Sequence, residues 1–216
     1  MGKRMPMWLA ALQLAVGLGL MLYPAVSGWR YAGIQDRIIR VYQNQVKALT
    51  EEECRSLWEA AGRYNRKEGT GGYDHQLAPV PGGLLGYLEI PAIDVCLPVF
   101  HGTDETALET GVGHVPWSSL PTEALGTHCV LSGHRGLPSA RLFTDLDRLR
   151  PGDEFRLHIL ERTQTYRVSE IRVVEPEAVS ALAPREGSAL CTLVTCTPYG
   201  INSHRLLVEG SLMEAP

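Results

Sequence analysis

The sequence predicts an all-β domain, a sandwich or barrel, carried behind a membrane helix. Three observations point there. Short runs of β-formers recur from position 84 onward: "LLGYLEI", "DVCLPVF", "HCVLSG", "EFRLHIL", "TYRVSEIRVV", "ALCTLVTC" and "RLLVEG". Turn residues separate most of them, and helical signals between them are few and short, which disfavours βαβ units. Ahead of all this lies an uncharged apolar run, Met7 to about Ser27.

That run has roughly the 20 residues a helix needs to cross a bilayer. Lys3 and Arg4 precede it, which predicts a cytoplasmic N-terminus and an outward C-terminal domain. Trp8, Tyr23 and Trp29 suit the two interfaces. An uncleaved anchor is the expectation. The alternatives are a cleaved signal peptide, for which "YPAVSGW" offers a poor cleavage site, and a buried core helix. No second apolar run is seen before Pro216, so one anchor is expected at most.

Next, Ile34, Ile38, Val41, Tyr42, Val46 and Leu49 recur near helical spacing. Thr50 and Glu53 then form a capping-box pattern for a second helix through Leu57, Trp58, Ala61 and Tyr64. These two amphipathic helices would link membrane to domain. "RKEGTGGYDHQLAPVPGG" reads as a solvated linker. Within the β region, "SARLFTDLDRL" carries a short helical turn before the turn signal "RPGD".

The 216 residues, 44% of them hydrophobic, suit one globular domain plus extras. A net charge of -4 with no basic stripe argues against nucleic acid as the partner. The five cysteines (Cys54, Cys96, Cys129, Cys191, Cys196) form no C-x-x-C, and no acidic cluster has calcium-ligand spacing. No metal and no cofactor are expected. An odd count leaves at least one thiol free.

Cys196 ends the run "ALCTLVTC", just before "TPYG". It is either a packed core thiol or a nucleophile at a strand tip. Alternation puts Thr192, Val194 and Cys196 on one face and Cys191, Leu193 and Thr195 on the other. If the next strand is antiparallel and adjacent, Arg205 stands beside Cys196, as thiolate and oxyanion stabiliser or as half of a surface ion pair. A cysteine nucleophile also needs a proton shuttle. His134 is the candidate, just past a strand end with Gly136 close behind; the alternative is an exposed loop histidine. His204 faces away from Arg205, His101, His114 and His128 lie in or beside loops, and His75 and His158 look peripheral. Cys191, Cys129 and Cys96 are expected to pack in the core. Thr195 orients the nucleophile or substrate, or only packs.

"TLVTC", "LSGHRG" and "NSHRLLV" occur in the order found in the sortases, and the chain resembles that family. "GYLEIPAIDVCLPVFHGT", "GVGHVPWSSLP" and "LPSARLFTDLDRLRPGD" most resemble class C, the pilin-polymerising sortases. The resemblance implies a closed eight-stranded sortase-type β-barrel with short helices, behind a transmembrane helix and membrane-proximal helices. It divides the chain into an anchor (1–29), membrane-proximal helices with a linker or lid-like loop (30–83), and a catalytic barrel (84–216). It implies a cysteine transpeptidase. Cys196 would cleave an LPxTG-like sorting signal between Thr and Gly through a thioacyl-enzyme, with His134 as general acid and base and Arg205 on the oxyanion. The implied partners are exported proteins with such signals, among them pilin subunits whose lysine supplies the amine, and the lipid bilayer. The implied place is the outer side of a Gram-positive-type membrane.

Two features depart from class C. No Asp-Pro-aromatic lid motif precedes the barrel, and the second hydrophobic segment of many members is not seen. Tyr73–Asp74 is the one candidate lid remnant. Two other readings follow: a sortase that attaches single proteins to the cell wall, and an inactive sortase-like binding domain.

Overall fold

The computed structural model describes residues 7–68, 72–137 and 140–213. Lys3 and Arg4, which carry the orientation expectation, fall outside them. So do three residues of the linker, 69–71.

The apolar run and the first linking helix form one uninterrupted helix, α1 (Met7–Ala48). Among the described residues it is the one helix long and apolar enough to cross a membrane. The described large apolar residues of its first half, among them Leu12, Leu14, Val16 and Met21, are exposed, while Gln35, Ile39 and Tyr42 in its second half are buried on the barrel. Thr50 then caps α2 (Glu51–Asn65) with the reciprocal bonds of a capping box. From α2, Trp58 Nε1 donates to Glu161 at 3.0 Å, and Asn65 makes paired bonds with the Leu120 backbone.

Ten strands follow: β1 (Leu84–Ile90), β2 (Val95–His101), β3 (Val112–His114), β4 (Thr127–Ser132), β5 (Arg135–Leu137), β6 (Ala140–Leu142), β7 (Glu154–Ile159), β8 (Arg162–Val174), β9 (Ala189–Thr197) and β10 (His204–Leu212). A short α3 (Glu105–Thr110) joins β2 to β3. Eight strands close a barrel in the order β1-β2-β3-β4-β9-β10-β8-β7, while β5 and β6 form a separate hairpin. Alternation within strands fills the lumen: Leu88, Leu131, Phe155, Leu157 and Leu193 are fully buried. Each such side chain contributes about 1.5–3 kcal/mol by leaving water. Parallel pairing of β4 with β9, flanked by the antiparallel β9–β10 pair, brings three chain segments to one end of the barrel.

Two sequence expectations need correction, those for Cys96 and for the linker. His101, His114 and His128 stand beside loops, at the ends of β2, β3 and β4, and all three are buried there. Both ring nitrogens of His114 and of His128 are bonded, and His101 is held through Nδ1 at 3.1 Å from Gly83 O. Cys96 does not pack in the core: it is exposed, because Val95, Leu97 and Val99 take the inward face of β2. Both faces of that stretch are apolar, so composition hid the alternation.

The second correction concerns the linker, which is tied down rather than solvated. Leu77 is fully buried, and the Tyr73 hydroxyl lies 2.7 Å from His114 Nδ1 and accepts the Gly102 amide at 3.0 Å. Cys191 and Cys129 pack in the core as expected, as register partners on β9 and β4. Cys54 is buried under α2.

Candidate active site

The end of β9 carries the expected face alternation. Cys191, Leu193 and Thr195 are buried inward, while Val194 and Cys196 are half-buried on the outer face. The chain turns through 198–203 and returns antiparallel, and Arg205 pairs in register with Cys196. Pairing of this kind holds Cβ atoms about 4.5–5.5 Å apart. Arg205 Nη1 donates to the carbonyls of Asn202 and His204, at 3.2 and 3.0 Å, so the guanidinium is held by its own turn.

His134 arrives from the other side of β9. β4 runs parallel to β9 with Ser132 opposite Val194, and the Gly133 amide donates to Val194 O at 3.0 Å. β4 ends at Ser132 and His134 follows two residues later, as Cys196 follows Val194 on β9. The turn is fastened there. Thr195 Oγ1 donates to Gly133 O at 2.7 Å, and the Phe143 amide donates to His134 O at 3.1 Å. The structure thus brings Cys196, His134, Arg205 and Thr195 to one end of the barrel, with the Thr195 hydroxyl facing the histidine turn.

Why the histidine stands between glycines can be read from the packing. A Cβ on Gly133 would meet the Phe143 ring at 2.7 Å. Gly136 has φ +80 and lies against the Tyr199 ring, where any side chain would collide. Between them Arg135, whose side chain is 8% exposed, donates from Nη1 to Thr197 Oγ1 at 2.8 Å and from Nη2 to Asp147 at 2.6 Å. It ties the histidine turn to the residue after Cys196. Sequence reasoning missed Arg135; the signal was an arginine beside the candidate histidine, which reads equally well as a surface charge.

An apolar groove of about 150 Å³ runs along the outer face toward Arg205. Trp117, Val130, Val174, Leu182, Val194 and Leu207 line it. Its wall is the connection from β8 to β9, and polar bonds pin that wall. Glu209, 3% exposed, pairs with Arg172 and Arg185, and Arg172 also bonds Ala181 O. His128 Nδ1 lies 3.1 Å from Ala183 O, so it carries the proton and donates, leaving Nε2 to accept from Thr192 Oγ1 at 2.7 Å. Burial pushes the His128 pKa down. Glu209 was legible only as one charge in "RLLVEG".

Comparison with known proteins fits this geometry. A sortase domain family model matches residues 88–213. The chain belongs to the sortase family. Among solved structures it is similar to sortase C1 from Streptococcus agalactiae, with 42% identity and a TM-score of 0.79, covering 83% of this chain and 100% of that one. A second likeness is to Clostridium perfringens sortase C, solved with the C-terminal cell wall sorting motif, at 38% identity and TM-score 0.75 over 83% and 99% of the two chains. The likeness within the family is therefore to sortases of class C. Sortase D of Bacillus subtilis is 35% identical over 121 residues, 56% of this chain and 58% of that protein. The match spans little more than half the length of that curated relative.

Proposed function

We propose that this sortase is a membrane-anchored cysteine transpeptidase that cuts an LPxTG-like sorting signal and passes the acyl part to an amine. The observation that carries the reading is the in-register pairing of Cys196 with Arg205, with the His134 turn on the other side of β9, at one end of an apolar groove.

The leucine and proline of the signal would lie in the groove, leading the Thr–Gly bond to Cys196. The thiolate attacks the threonine carbonyl carbon, and Arg205 stabilises the resulting oxyanion. His134, as imidazolium, protonates the departing glycine amine as the C–N bond breaks, leaving a thioester on Cys196. His134, now neutral, takes a proton from the incoming amine as that amine attacks the thioester. The new amide forms and the thiolate leaves. We assign the amine to a lysine side chain of a pilin subunit, on the likeness to class C, with the catalytic domain outside a Gram-positive-type membrane.

The test is mass spectrometry of purified enzyme with an LPxTG-type peptide and, separately, a lysine-bearing pilin or a cell-wall amine. The expected result is an acyl adduct on Cys196, peptide–pilin product, and loss of both in Cys196→Ala by about 10⁴-fold or more. Product with the cell-wall amine alone would replace pilus assembly by wall attachment. Undiminished turnover by Cys196→Ala would overturn the enzyme reading.

A further inference from the structure

The unbroken helix α1 fixes which end of the barrel faces the membrane. Its contacts run in order along the barrel. Gln35 Nε2 donates to Thr110 O at 2.8 Å, and α1 also packs on β6 of the histidine hairpin. Thr110 lies two residues before β3, whose Gly113 pairs with Ser132 next to the His134 turn. This is the Cys196 end. Seven residues later, Tyr42 donates to Leu85 O at 2.9 Å and accepts the Leu160 amide at 2.7 Å. Leu160 sits in the turn between β7 and β8. From there β8 runs 13 residues before Val174 pairs with Arg205. This is the opposite end. The direction from Tyr42 back to Gln35, and on to the apolar run, therefore points from the far end of the barrel toward the end that holds Cys196.

We propose that α1 holds the Cys196 end of the barrel against the bilayer surface, with the β9–β10 turn meeting the lipid headgroups. The proposal rests on the reading of α1 as a membrane anchor. At 1.5 Å per residue, Ser27 to Gln35 is about 12 Å, so the catalytic end stands close above the membrane.

The near end exposes Tyr199 (60%), Ile201 (72%) and Val173 (60%), apolar groups of the kind that enter an interface. The far end carries Glu51, Glu52 and Glu53 in the first turn of α2, which anionic headgroups repel. A polypeptide still tethered to the same bilayer would then meet Cys196 only within a short height of its tether.

The test uses the full chain in nanodiscs of phosphatidylcholine and phosphatidylglycerol. The photocrosslinker p-benzoylphenylalanine replaces, one at a time, Leu14 in the span, Ile201 at the near end and Glu52 at the far end. All three side chains are exposed, so the fold should tolerate each change. Lipid adducts are read by mass spectrometry. The expected result is adducts at Leu14 and Ile201, with at least about tenfold less at Glu52. Adducts at Leu14 without Ile201, or equal yields at Ile201 and Glu52, would overturn the orientation. No adduct at Leu14 would overturn the anchor itself, and the orientation with it.

Discussion

At the end of β9, a histidine, a cysteine and an arginine stand half-buried, fastened through their backbones and neighbours. Between β2 and β3, His101 and His114 are sealed against Tyr73. The two sites draw on similar side chains and differ in what their polar atoms face. His114 Nε2 lies 3.0 Å from Ser119 O. A carbonyl only accepts, so that nitrogen carries the proton and Nδ1 accepts from the Tyr73 hydroxyl. Both ring nitrogens are spent inside the protein, and burial pushes the His114 pKa down to about 4. At the rim, it is the backbone around His134 and the side chain of Arg135 that make the fastening bonds. A histidine whose nitrogens are consumed by the fold serves stability; one held by its backbone leaves its ring open to the proton transfer proposed for His134.

The comparison breaks first at the rim. His134→Ala and Arg205→Ala should each lower kcat/KM on a sorting peptide by about 10²–10⁴-fold, because in the proposed mechanism each removes a proton carrier or an oxyanion partner. Their Tm should stay within a few degrees of wild type. A large fall in Tm with activity per folded molecule intact would place these residues with the structural group instead.

A smaller effect separates holding from reacting. Arg135→Met keeps the stem and removes the bonds to Thr197 and Asp147. A misplacement of about 1 Å at a reacting group can cost about 10²-fold. The expected loss is therefore in kcat, with KM little changed, since the groove is untouched. Arg135→Lys should recover only part, because a single ammonium cannot bridge both partners as the guanidinium fork does. A pure KM effect would show that Arg135 acts on binding rather than on the His134 turn.

Legibility followed the same division. The alternation in "ALCTLVTC" and the nine-residue return to Arg205 were readable, because period two and a tight antiparallel turn are local consequences of the chain. So were the Thr50–Glu53 cap and the turn at "RPGD". The buried histidines were not readable. What makes His114 a core residue is Tyr73, forty-one positions away, and nothing local to "GVGHVP" announces that partner. The pinning of the groove wall by Glu209, and the fusion of anchor and stalk into one α1, are likewise matters of distant pairing. The strand end and Gly136 marked His134 as a candidate in the sequence, and the resemblance strengthened it; the reason for its glycines came from Phe143 and Tyr199.

The smallest effect is on stability against pH, and it tests the sealed site directly. In the unfolded chain His114 takes up a proton near its ordinary value of 6.5, but in the folded protein only near 4. Between those values the unfolded state binds more protons, so stability falls as pH falls. It is fully present above about 6.5 and is drained toward 4, by at most about 1.4 kcal/mol per pH unit and about 3 kcal/mol in all. His101 and His128, whose pKa values burial also lowers, add in the same direction. Denaturant unfolding at pH 7, 6 and 5 should show this slope in the wild type. His114→Gln should be less stable at pH 7, since it leaves Tyr73 poorly partnered, yet its slope between pH 6 and 5 should be shallower by about one proton. An unchanged slope would mean that His114 is already protonated in the fold, and its assignment as a sealed neutral histidine would fail.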